Sequence, residues 1–379
     1  MTAARAERIE PLDGLRGLAA LWVLAGHALN LSGAWIPVIG RPLLAVDLFM
    51  MLSGALMFHQ AGVREAREPM ASPRTWLRFW TRRFFRIAPV FYLAFAAAMV
   101  LGPWLGEMRQ TANAAIGAAP PDALRYQDHG WVNVLAHLSF VFGALPAWST
   151  RSPLPDWSIG LEMQFYLAFP FILLATRRLG LVAASVLLTG ASALLWLPLG
   201  GWLGAFDPDT PSFLPLKINA FLAGMMLMRA RLLTGWSRWG LLLPAVALAA
   251  VPLGPAGHWS EPVIRAASAL AVGAALSPGL FSTAALESLA GLGRRLLASP
   301  PLRWMGDVSY GVYLIHLLVL GPVVALLVRQ APDLVPMARA GLAFALSAPL
   351  VYGLGWATFR WIETPGIALG RRLLSRPGT

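Results

Sequence analysis

Apolar runs of about 20 residues recur along the whole chain, and they constrain its fold more than any other feature of the sequence. An α-helix needs a run of about this length to cross a hydrocarbon core of roughly 30 Å. Hydrophobic residues make up 57% of the 379 residues, only 13% are charged, and the mean hydropathy is +0.62. These values lie outside the range of soluble globular domains. The sequence therefore predicts an all-α polytopic integral membrane protein.

We predict about ten transmembrane helices in a single integral membrane domain, residues 1–379. The spans are 12–30, 42–60, 84–103, 158–176, 180–199, 212–229, 239–256, 263–281, 306–328 and 340–361. The first span is a retained helix, because no small-residue cleavage site follows its apolar stretch. The longest extramembrane segment is the outer loop 104–157. Within it, the stretch 131–145 predicts a re-entrant or interfacial helix, because about 14 apolar residues are too few to cross.

The distribution of arginines predicts the orientation, because cytoplasmic loops carry an excess of Lys and Arg. Every basic residue except Lys217 is an arginine. If both termini are cytoplasmic, 21 arginines lie inside, 7 lie outside and Arg16 lies within a span. The inside set includes Arg5 and Arg376, near the two ends of the chain. The formal charge of +12 therefore indicates membrane orientation, and no nucleic-acid partner is expected.

Four ionisable side chains are predicted at one depth near the outer surface. At a rise of 1.5 Å per residue, His27, Asp47, Glu162 and Lys217 each lie roughly 8 Å below the outer face of the core. A charge at depth costs a few kcal/mol, so each is a functional hypothesis. Structural roles also stay open: an interior hydrogen-bonded histidine, an ion pair of Glu162 with Lys217, and a helix N-terminal carboxylate at Asp47.

Arginines supply the cationic part of the predicted site. Arg16 lies eleven residues before His27, on nearly the same helix face and about 16 Å nearer the cytoplasm. Arg82 and Arg83 directly precede the third span, Arg86 lies at its start, and Arg83 and Arg86 share a helix face. Guanidinium groups suit phosphates because each offers a bidentate fork, although arginines beside a span also act as topology signals.

Six segments resemble, in order, the motifs of the membrane-bound acyltransferase-3 family, which includes polysaccharide O-acetylases and macrolide acyltransferases. They read LDGLRGLAALWVLAGH, VDLFMMLSGALM, RRFFRIAPVFYL, PDWSIGLEMQFYLAFPFIL, MGDVSYGVYLIH and FRWIETPG. Six matches in the family's order make a chance resemblance improbable. Two departures are mild: FMMLSG stands where the family often has two aromatic residues, and Met163 stands where a second acid often follows the residue matching Glu162.

The resemblance implies transfer of an acyl group to a hydroxyl of a cell-surface glycan, glycolipid or glycoside at the bacterial inner (cytoplasmic) membrane. The implied donor is most often cytoplasmic acetyl-CoA. The resemblance also implies that His27 and Arg16 are essential and that Arg83 and Arg86 take part in donor use. Some relatives carry an extra C-terminal extracytoplasmic hydrolase-like domain, and we expect none here.

The predicted mechanism combines the residues with these implications. The predicted catalytic residues are His27, Glu162, Asp47 and Arg16, and the predicted donor-binding residues are Arg82, Arg83, Arg86 and Arg16. His27 accepts the proton of the acceptor hydroxyl, and Glu162 or Asp47 orients the imidazole. Direct transfer is the first choice, while a transient acyl-enzyme on His27 or Ser53 stays open. The candidates for stabilising the oxyanion are Ser158, Trp157 and Lys217.

Two other functions stay open at this stage. A proton-coupled secondary transporter also uses buried His, Glu, Asp and Lys, and a non-catalytic glycan-binding scaffold is the third hypothesis. The expected partners are acyl-CoA, the acceptor and membrane lipid. No metal is expected, and the chain has no cysteine. We expect a structural role for His316, and acceptor specificity in the outer segments 104–157 and 200–212.

Overall fold

The computed structural model describes residues 8–254 and 258–375 of the chain. Within these ranges, helices and their connecting loops make up the whole fold, and no β-strand forms. The all-α architecture predicted from the apolar runs is therefore confirmed. The end of the predicted span 239–256, together with Arg5 and Arg376, lies outside the described residues.

Fifteen α-helices form within the described residues. In chain order they are α1 Glu10–Ser32, α2 Pro42–Arg64, α3 Pro73–Ala115, α4 Leu124–Gln127, α5 Trp131–Leu138, α6 Trp157–Leu179, α7 Leu181–Leu194, α8 Trp196–Leu203, α9 Ile218–Ala230, α10 Gly235–Ala250, α11 Ser260–Leu276, α12 Ala284–Leu297, α13 Pro300–Gln330, α14 Pro336–Thr358 and α15 Thr364–Leu374. The turns Val141–Ala144 and Leu214–Leu216 are 3₁₀-helical, and Phe359–Glu363 is π-helical.

Five helical segments of the described chain are long and apolar enough to cross a membrane, namely α2, α3, α6, α13 and the continuous segment Pro336–Leu374. A sixth results if α7 and α8, which meet at a bend of 62°, count as one span. These segments support a multi-pass membrane protein. The predicted span 212–229 overlaps α9, which has only 13 residues because Pro215 and the 3₁₀ turn precede it. The count of ten spans and the cytoplasmic termini stay predictions.

The chain divides into two compact units. Unit 1 consists of the residues up to Ala19, Leu44–Phe79 and Glu162–Asp307. Unit 2 consists of Ala20–Leu43, Trp80–Leu161 and the residues from Val308 onward.

In unit 1, glycines allow α2 and α9 to approach closely. A Cβ atom on Gly54 would lie 2.0 Å from the carbonyl oxygen of Phe221, and one on Gly224 would lie 1.9 Å from that of Met51. Small residues at such contacts are the usual means by which helix backbones approach each other in a membrane. The contact packs α2, the helix of Asp47, against α9, which begins directly after Lys217.

We expect Gly54→Ala to destabilise the protein by about 1–3 kcal/mol, because the added methyl group overpacks the α2–α9 contact. Thermal or denaturant unfolding of the detergent-solubilised protein measures the effect. Gly62→Ala is the matched control, since Gly62 lies on the same helix and a Cβ atom there meets nothing within 4 Å. Equal unfolding midpoints for the two variants would contradict the proposed role of the contact.

Unit 2 contains most of α3, the longest helix of the described chain. Its 43 residues correspond to about 64 Å at 1.5 Å per residue, roughly twice the thickness of a hydrocarbon core. Pro89 and Pro103 lie inside it. Within unit 2, Arg86 and Arg109 are 23 residues apart on this helix, which corresponds to about 35 Å. The two arginines are therefore separated by about one hydrocarbon thickness.

Short helices follow α3 in unit 2. The sequence predicts a helix over 131–145, and the structure has α5 over the first part of this range. The chain then turns at Phe140, whose φ of 61° is in the left-handed region, into the 3₁₀ turn Val141–Ala144. In this segment the His137 ring stacks between Phe95 and Phe142, at centroid distances of 4.6 and 4.3 Å.

Candidate active site

His27 lies on α1 within unit 2, and a backbone contact fixes the protonation of its ring. Its Nδ1 lies 2.9 Å from the carbonyl oxygen of Val23, one turn earlier on the helix. Because a carbonyl oxygen only accepts hydrogen bonds, Nδ1 carries a proton, and in the neutral imidazole Nε2 is then the unprotonated acceptor. The side chain is only partly buried, and no described residue bonds to Nε2. This is the form of imidazole that a general base requires.

His316, on α13, is the side-chain partner of His27 in unit 2. Its Nε2 lies 3.3 Å from His27 Nδ1, and the ring centroids are 4.9 Å apart. The Nδ1 of His316 lies 2.6 Å from the carbonyl oxygen of Tyr313, so Nδ1 is again the protonated nitrogen. His316 Nε2 is therefore an acceptor, and it shares the Nδ1–H of His27 with Val23. The sequence suggested only a structural role for His316, and its contact with His27 depends on the packing of α1 against α13.

Hydroxyl groups join the His316 turn of α13 to the start of α6. The Tyr313 hydroxyl donates to the carbonyl oxygen of Pro155 at 2.7 Å, so the Ser158 hydroxyl donates to Tyr313, also at 2.7 Å. The proton of Ser158 is therefore already engaged. By contrast, the indole N–H of Trp157 has no hydrogen bond within the described ranges, which leaves it able to donate to an oxyanion.

In unit 1, Asp47 is the centre of a buried ionic network. Its Oδ1 accepts from Lys217 Nζ at 2.7 Å, and its Oδ2 accepts from Arg265 Nε at 2.6 Å. Arg265 also pairs with Glu261 at 3.0 Å. Only 2% of the Asp47 side chain is exposed. Lys217 thus pairs with Asp47 rather than with Glu162, and both Asp47 oxygens already accept from cations.

Glu162, also in unit 1, accepts hydrogen bonds from two hydroxyl groups. Its Oε1 accepts from Ser53 Oγ at 2.8 Å and from the Tyr166 hydroxyl. Ser53 and Glu162 are only partly buried. A serine hydroxyl that donates to a carboxylate can be activated as a nucleophile, so the contact keeps Ser53 a candidate acyl carrier. The partners of Glu162 were not evident in the sequence, because Ser53 lies 109 residues away.

Arg16 belongs to unit 1 and is partly buried. Within the part of the chain that the structure describes, it forms no hydrogen bond or ion pair. A guanidinium group without a counter-ion can bind an incoming anion such as a phosphate.

Arg82, Arg83 and Arg86 all lie on the part of α3 that belongs to unit 2. Arg83 is buried, and Arg82 and Arg86 are partly buried. Arg86 forms an ion pair with Glu363 at 2.9 Å, and Glu363 is 1% exposed in the π-helical turn after α14. The last motif, FRWIETPG, thus supplies a carboxylate that holds one arginine of the predicted donor site.

A buried His–Asp pair in unit 2 was missed by the sequence analysis. His137 Nε2 lies 3.6 Å from Asp156 Oδ2, and neither atom has a hydrogen bond among the described residues. Burial raises the pKa of Asp156 above its usual range. Because Asp156 directly precedes α6, the pair connects α5 to the start of that helix.

The geometry defines a class of protein: a multi-pass helical membrane protein whose first helix carries a partly buried imidazole. A family model described as an acyltransferase domain matches residues 9–356. The chain therefore belongs to the membrane-bound acyltransferase-3 family, as the six motifs predicted. No solved structure matches the chain.

Three relatives show the range of proteins to which the chain is similar. The peptidoglycan O-acetyltransferase OatA of Listeria monocytogenes is 25% identical over 383 residues, covering 94% of the chain and 55% of OatA. The acyltransferase MdmB of Streptomyces mycarofaciens is 27% identical, covering 83% of the chain and 80% of MdmB. BcsY of Komagataeibacter xylinus, described as a membrane-bound transacylase, is 30% identical, covering 49% of the chain and 43% of BcsY. The chain thus spans about half the length of OatA and BcsY.

Proposed function

We propose that the chain is an O-acyltransferase of the bacterial inner membrane. It transfers an acyl group, acetyl in the first instance, from cytoplasmic acetyl-CoA to a hydroxyl of a cell-surface glycan, glycolipid or glycoside. The observation that carries the proposal is the His27 ring: Nδ1 is held by the Val23 carbonyl, and Nε2 is left as an acceptor in a partly accessible position. Family membership supports acyl transfer over proton-coupled transport.

The proposed reaction needs one base, which acts twice. His27 Nε2 accepts the proton of the acceptor hydroxyl as the hydroxyl oxygen attacks the thioester carbonyl carbon. The carbon–sulfur bond then breaks, the departing thiolate takes the proton from the imidazolium, and an ester and free CoA result. During the reaction the His27 Nδ1–H stays bonded to Val23 and His316, which orient the ring as the carboxylate does in a catalytic triad.

The other predicted site residues take supporting roles in this proposal. Glu162 positions Ser53 and Tyr166, and the indole N–H of Trp157 is the proposed donor to the oxyanion. Arg16 binds an anionic or polar part of the donor. Asp47, with both oxygens bonded to cations, is assigned to holding the network of Lys217 and Arg265.

The donor is proposed to bind through its phosphates at Arg82, Arg83 and Arg86. The buried carboxylate of Glu363 compensates the charge of Arg86 and also fixes its side chain, so Arg86 contributes an oriented guanidinium group to the proposed site rather than an uncompensated charge. An arginine fork that is already oriented loses less entropy when it binds a phosphate.

The acceptor class rests on the relatives. OatA is named as a peptidoglycan O-acetyltransferase and MdmB as an acyltransferase, so a sugar hydroxyl is the acceptor that we propose. The direct test incubates membranes that contain the protein with labelled acetyl-CoA and with host glycans. We expect label to enter the glycan as a base-labile ester, and labelled acetyl-CoA uptake without glycan labelling would contradict the proposal.

We expect acetyl-CoA to stabilise the purified protein against thermal unfolding, by about 2.7 kcal/mol at 100 times Kd. Arg83→Gln should weaken donor binding about 10–100-fold, because a charge-assisted hydrogen bond contributes about 1.5–3 kcal/mol. For Arg86, the test is a double variant that combines Arg86→Gln with Glu363→Gln. Replacing both partners of the ion pair avoids leaving the buried Glu363 carboxylate without its arginine.

Arg178→Gln is the control for donor binding, since Arg178 is an exposed arginine at the end of α6. It should leave the shift caused by acetyl-CoA unchanged. A wild-type protein that shows no shift at saturating acetyl-CoA would rule out the proposed donor site. A shift of full size in both Arg83→Gln and the Arg86–Glu363 double variant would rule out the assignment of these arginines.

A further inference from the structure

Two arginines of unit 2 lie on segments that pack near the helix of His27. Gly33, the residue directly after α1, packs against Ile116 just beyond α3, since a Cβ atom on Gly33 would lie 2.8 Å from Ile116 Cγ2. Arg109 is near the end of α3, and Arg125 is in the short helix α4. The charges of both arginines interact electrostatically with the His27 imidazole, and the two guanidinium groups interact with each other. Both side chains are only partly buried.

Arg125 donates to the carbonyl oxygen of Leu154, and the next residue, Pro155, accepts from Tyr313, one turn before His316. Hydrogen bonds therefore connect the Arg125 segment to the pair of His316 and His27.

Neither arginine has a carboxylate partner within the described ranges. Arg109 Nε donates to the amide oxygen of Asn113 at 2.9 Å, and Arg125 donates to the carbonyl oxygen of Leu154 at 3.4 Å. Arg151, in the same loop region, differs because it pairs with Asp128 at 3.0 Å. The charges of Arg109 and Arg125 thus have only neutral hydrogen-bond partners.

Asp156 is the acidic group whose charge interacts with Arg125. It is 2% exposed and forms no ion pair with Arg125, since its near neighbour is His137 at 3.6 Å. Burial raises the pKa of Asp156, which favours the neutral acid and reduces its ability to compensate Arg125. Within the described part of the chain, an external anion would therefore meet two guanidinium groups that form no ion pair with a carboxylate.

The hydrogen bonding of Arg109 leaves the terminal nitrogens of its guanidinium group available to a ligand. Among the residues that the structure describes, Arg109 forms a hydrogen bond through Nε alone. The Asn113 amide that accepts from it is itself anchored by donation to the carbonyl oxygen of Ala119 at 2.6 Å. The two terminal nitrogens of Arg109 can therefore form the bidentate contact that guanidinium groups make with phosphate or carboxylate.

The position of Arg109 separates this pair from the proposed donor site. Arg86 lies about 35 Å away along the same helix, roughly one hydrocarbon thickness. In the predicted orientation, Arg86 faces the cytoplasm and Arg109 lies on the outer side. The phosphates of acetyl-CoA bound at Arg86 would be far from Arg109, so the anion at Arg109 must come from another molecule.

We propose that Arg109 and Arg125 bind an anionic group of the acyl acceptor, a phosphate or a carboxylate, and thereby direct a neighbouring hydroxyl to His27. The inference rests on the proposed function, and it narrows the acceptor to an acidic sugar or a phosphate-linked sugar. The bound anion also offsets the positive charge that His27 gains when it accepts a proton, so an acidic acceptor assists the reaction as well as binding.

The test measures thermal unfolding of the purified full chain with three probes at equal millimolar concentration: glucose 1-phosphate, glucuronate and glucose. We expect one or both anionic sugars to raise the Tm and glucose to leave it unchanged. The anionic sugar that raises the Tm more shows whether phosphate or carboxylate is the preferred group. The shift should decrease as NaCl is raised, because the contact is ionic. An equal shift with glucose would overturn the proposal.

Variants assign the effect to the two arginines. Arg109→Gln and Arg125→Gln should each weaken binding of the anionic probe about tenfold or more, and the double variant should abolish the shift. Arg329→Gln is the control, since Arg329 is an exposed arginine of unit 2 that donates to Thr111. If a glutamine variant does not fold, Arg109→Lys keeps the charge but removes the bidentate fork, and it should weaken the shift. A full shift in the double variant, or in Arg109→Lys, would contradict the assignment.

Measurements with acetyl-CoA distinguish a failure of this inference from a failure of the proposed function. The shift caused by acetyl-CoA is expected to persist in the Arg109 and Arg125 variants, because their site is remote from the donor arginines. If the anionic sugars act as expected while acetyl-CoA gives no shift and no transfer, the anion site stands and the proposed function fails. If acetyl-CoA binds and transfer occurs but anionic sugars have no effect, only the acceptor inference fails.

Discussion

Replacing His27 with alanine is expected to lower the rate of acyl transfer by about 10²–10⁴-fold, the usual contribution of a general base. The variant removes the Nε2 acceptor that the hydrogen bond of Nδ1 to Val23 leaves unprotonated. The measurement is transfer of labelled acetyl to glycan at saturating acetyl-CoA, so that the loss is seen in kcat. Binding of acetyl-CoA, followed by thermal shift, should remain, because the proposed site of the donor phosphates is at the arginines of α3 rather than at His27.

His258→Ala is the control for this experiment, since His258 is an exposed histidine of unit 1 with its Nδ1 bonded to Ser260. It should transfer acetyl at the wild-type rate. The contradicting result is a folded His27→Ala protein that still shows the thermal shift with acetyl-CoA and whose activity is within about twofold of wild type. A twofold loss is far smaller than the contribution of a general base, so this result would disprove the role of His27.

Replacing Asp47 with alanine is expected to destabilise the protein by about 3–5 kcal/mol, because it leaves the buried Lys217 and the partly buried Arg265 without their shared carboxylate. Arg265 keeps its contact with Glu261, so Lys217 is the cation that loses its only carboxylate partner among the described residues. The measurement is the free energy of unfolding in detergent, or the midpoint of thermal unfolding where unfolding is irreversible.

A double variant tests the physical reason for this loss. Asp47→Asn with Lys217→Met removes both charges and should recover most of the stability lost in the single variant, as a coupled pair does in a double-mutant cycle. Asp333→Asn, at an exposed aspartate, is the control and should change the stability by less than about 0.5 kcal/mol. A loss below about 1 kcal/mol in Asp47→Ala would show that the network is not a structural requirement, since that is the range of exposed ion pairs.

Several features of the protein were predictable because they depend on residues close together in sequence. Hydropathy over about 20 residues predicts a membrane helix, so the all-α class follows from local composition. The motif of the first helix predicts that Arg16 and His27 share α1, and both do. The six motifs together predicted the family, which the match over residues 9–356 confirms.

Helix ends and span lengths were less predictable. The sequence indicates an apolar span over 212–229, but Pro215 and the 3₁₀ turn delay the start of α9 to Ile218. Likewise, the apolar stretch 131–145 is divided by the left-handed residue Phe140. Averaged hydropathy is insensitive to such turns, because the residues that form them are themselves apolar.

By itself, then, the sequence determined the helical class and the family. Only the tertiary structure decided the partners of the ionisable residues: Asp47 with Lys217, 170 residues away, and His27 with His316, 289 residues away. The physical reason is that a helix period fixes which side chains share a face, whereas partners on other helices are fixed by how closely the backbones approach. In unit 1 that approach depends on glycines such as Gly54 and Gly224, whose effect appears only when both helices are in place.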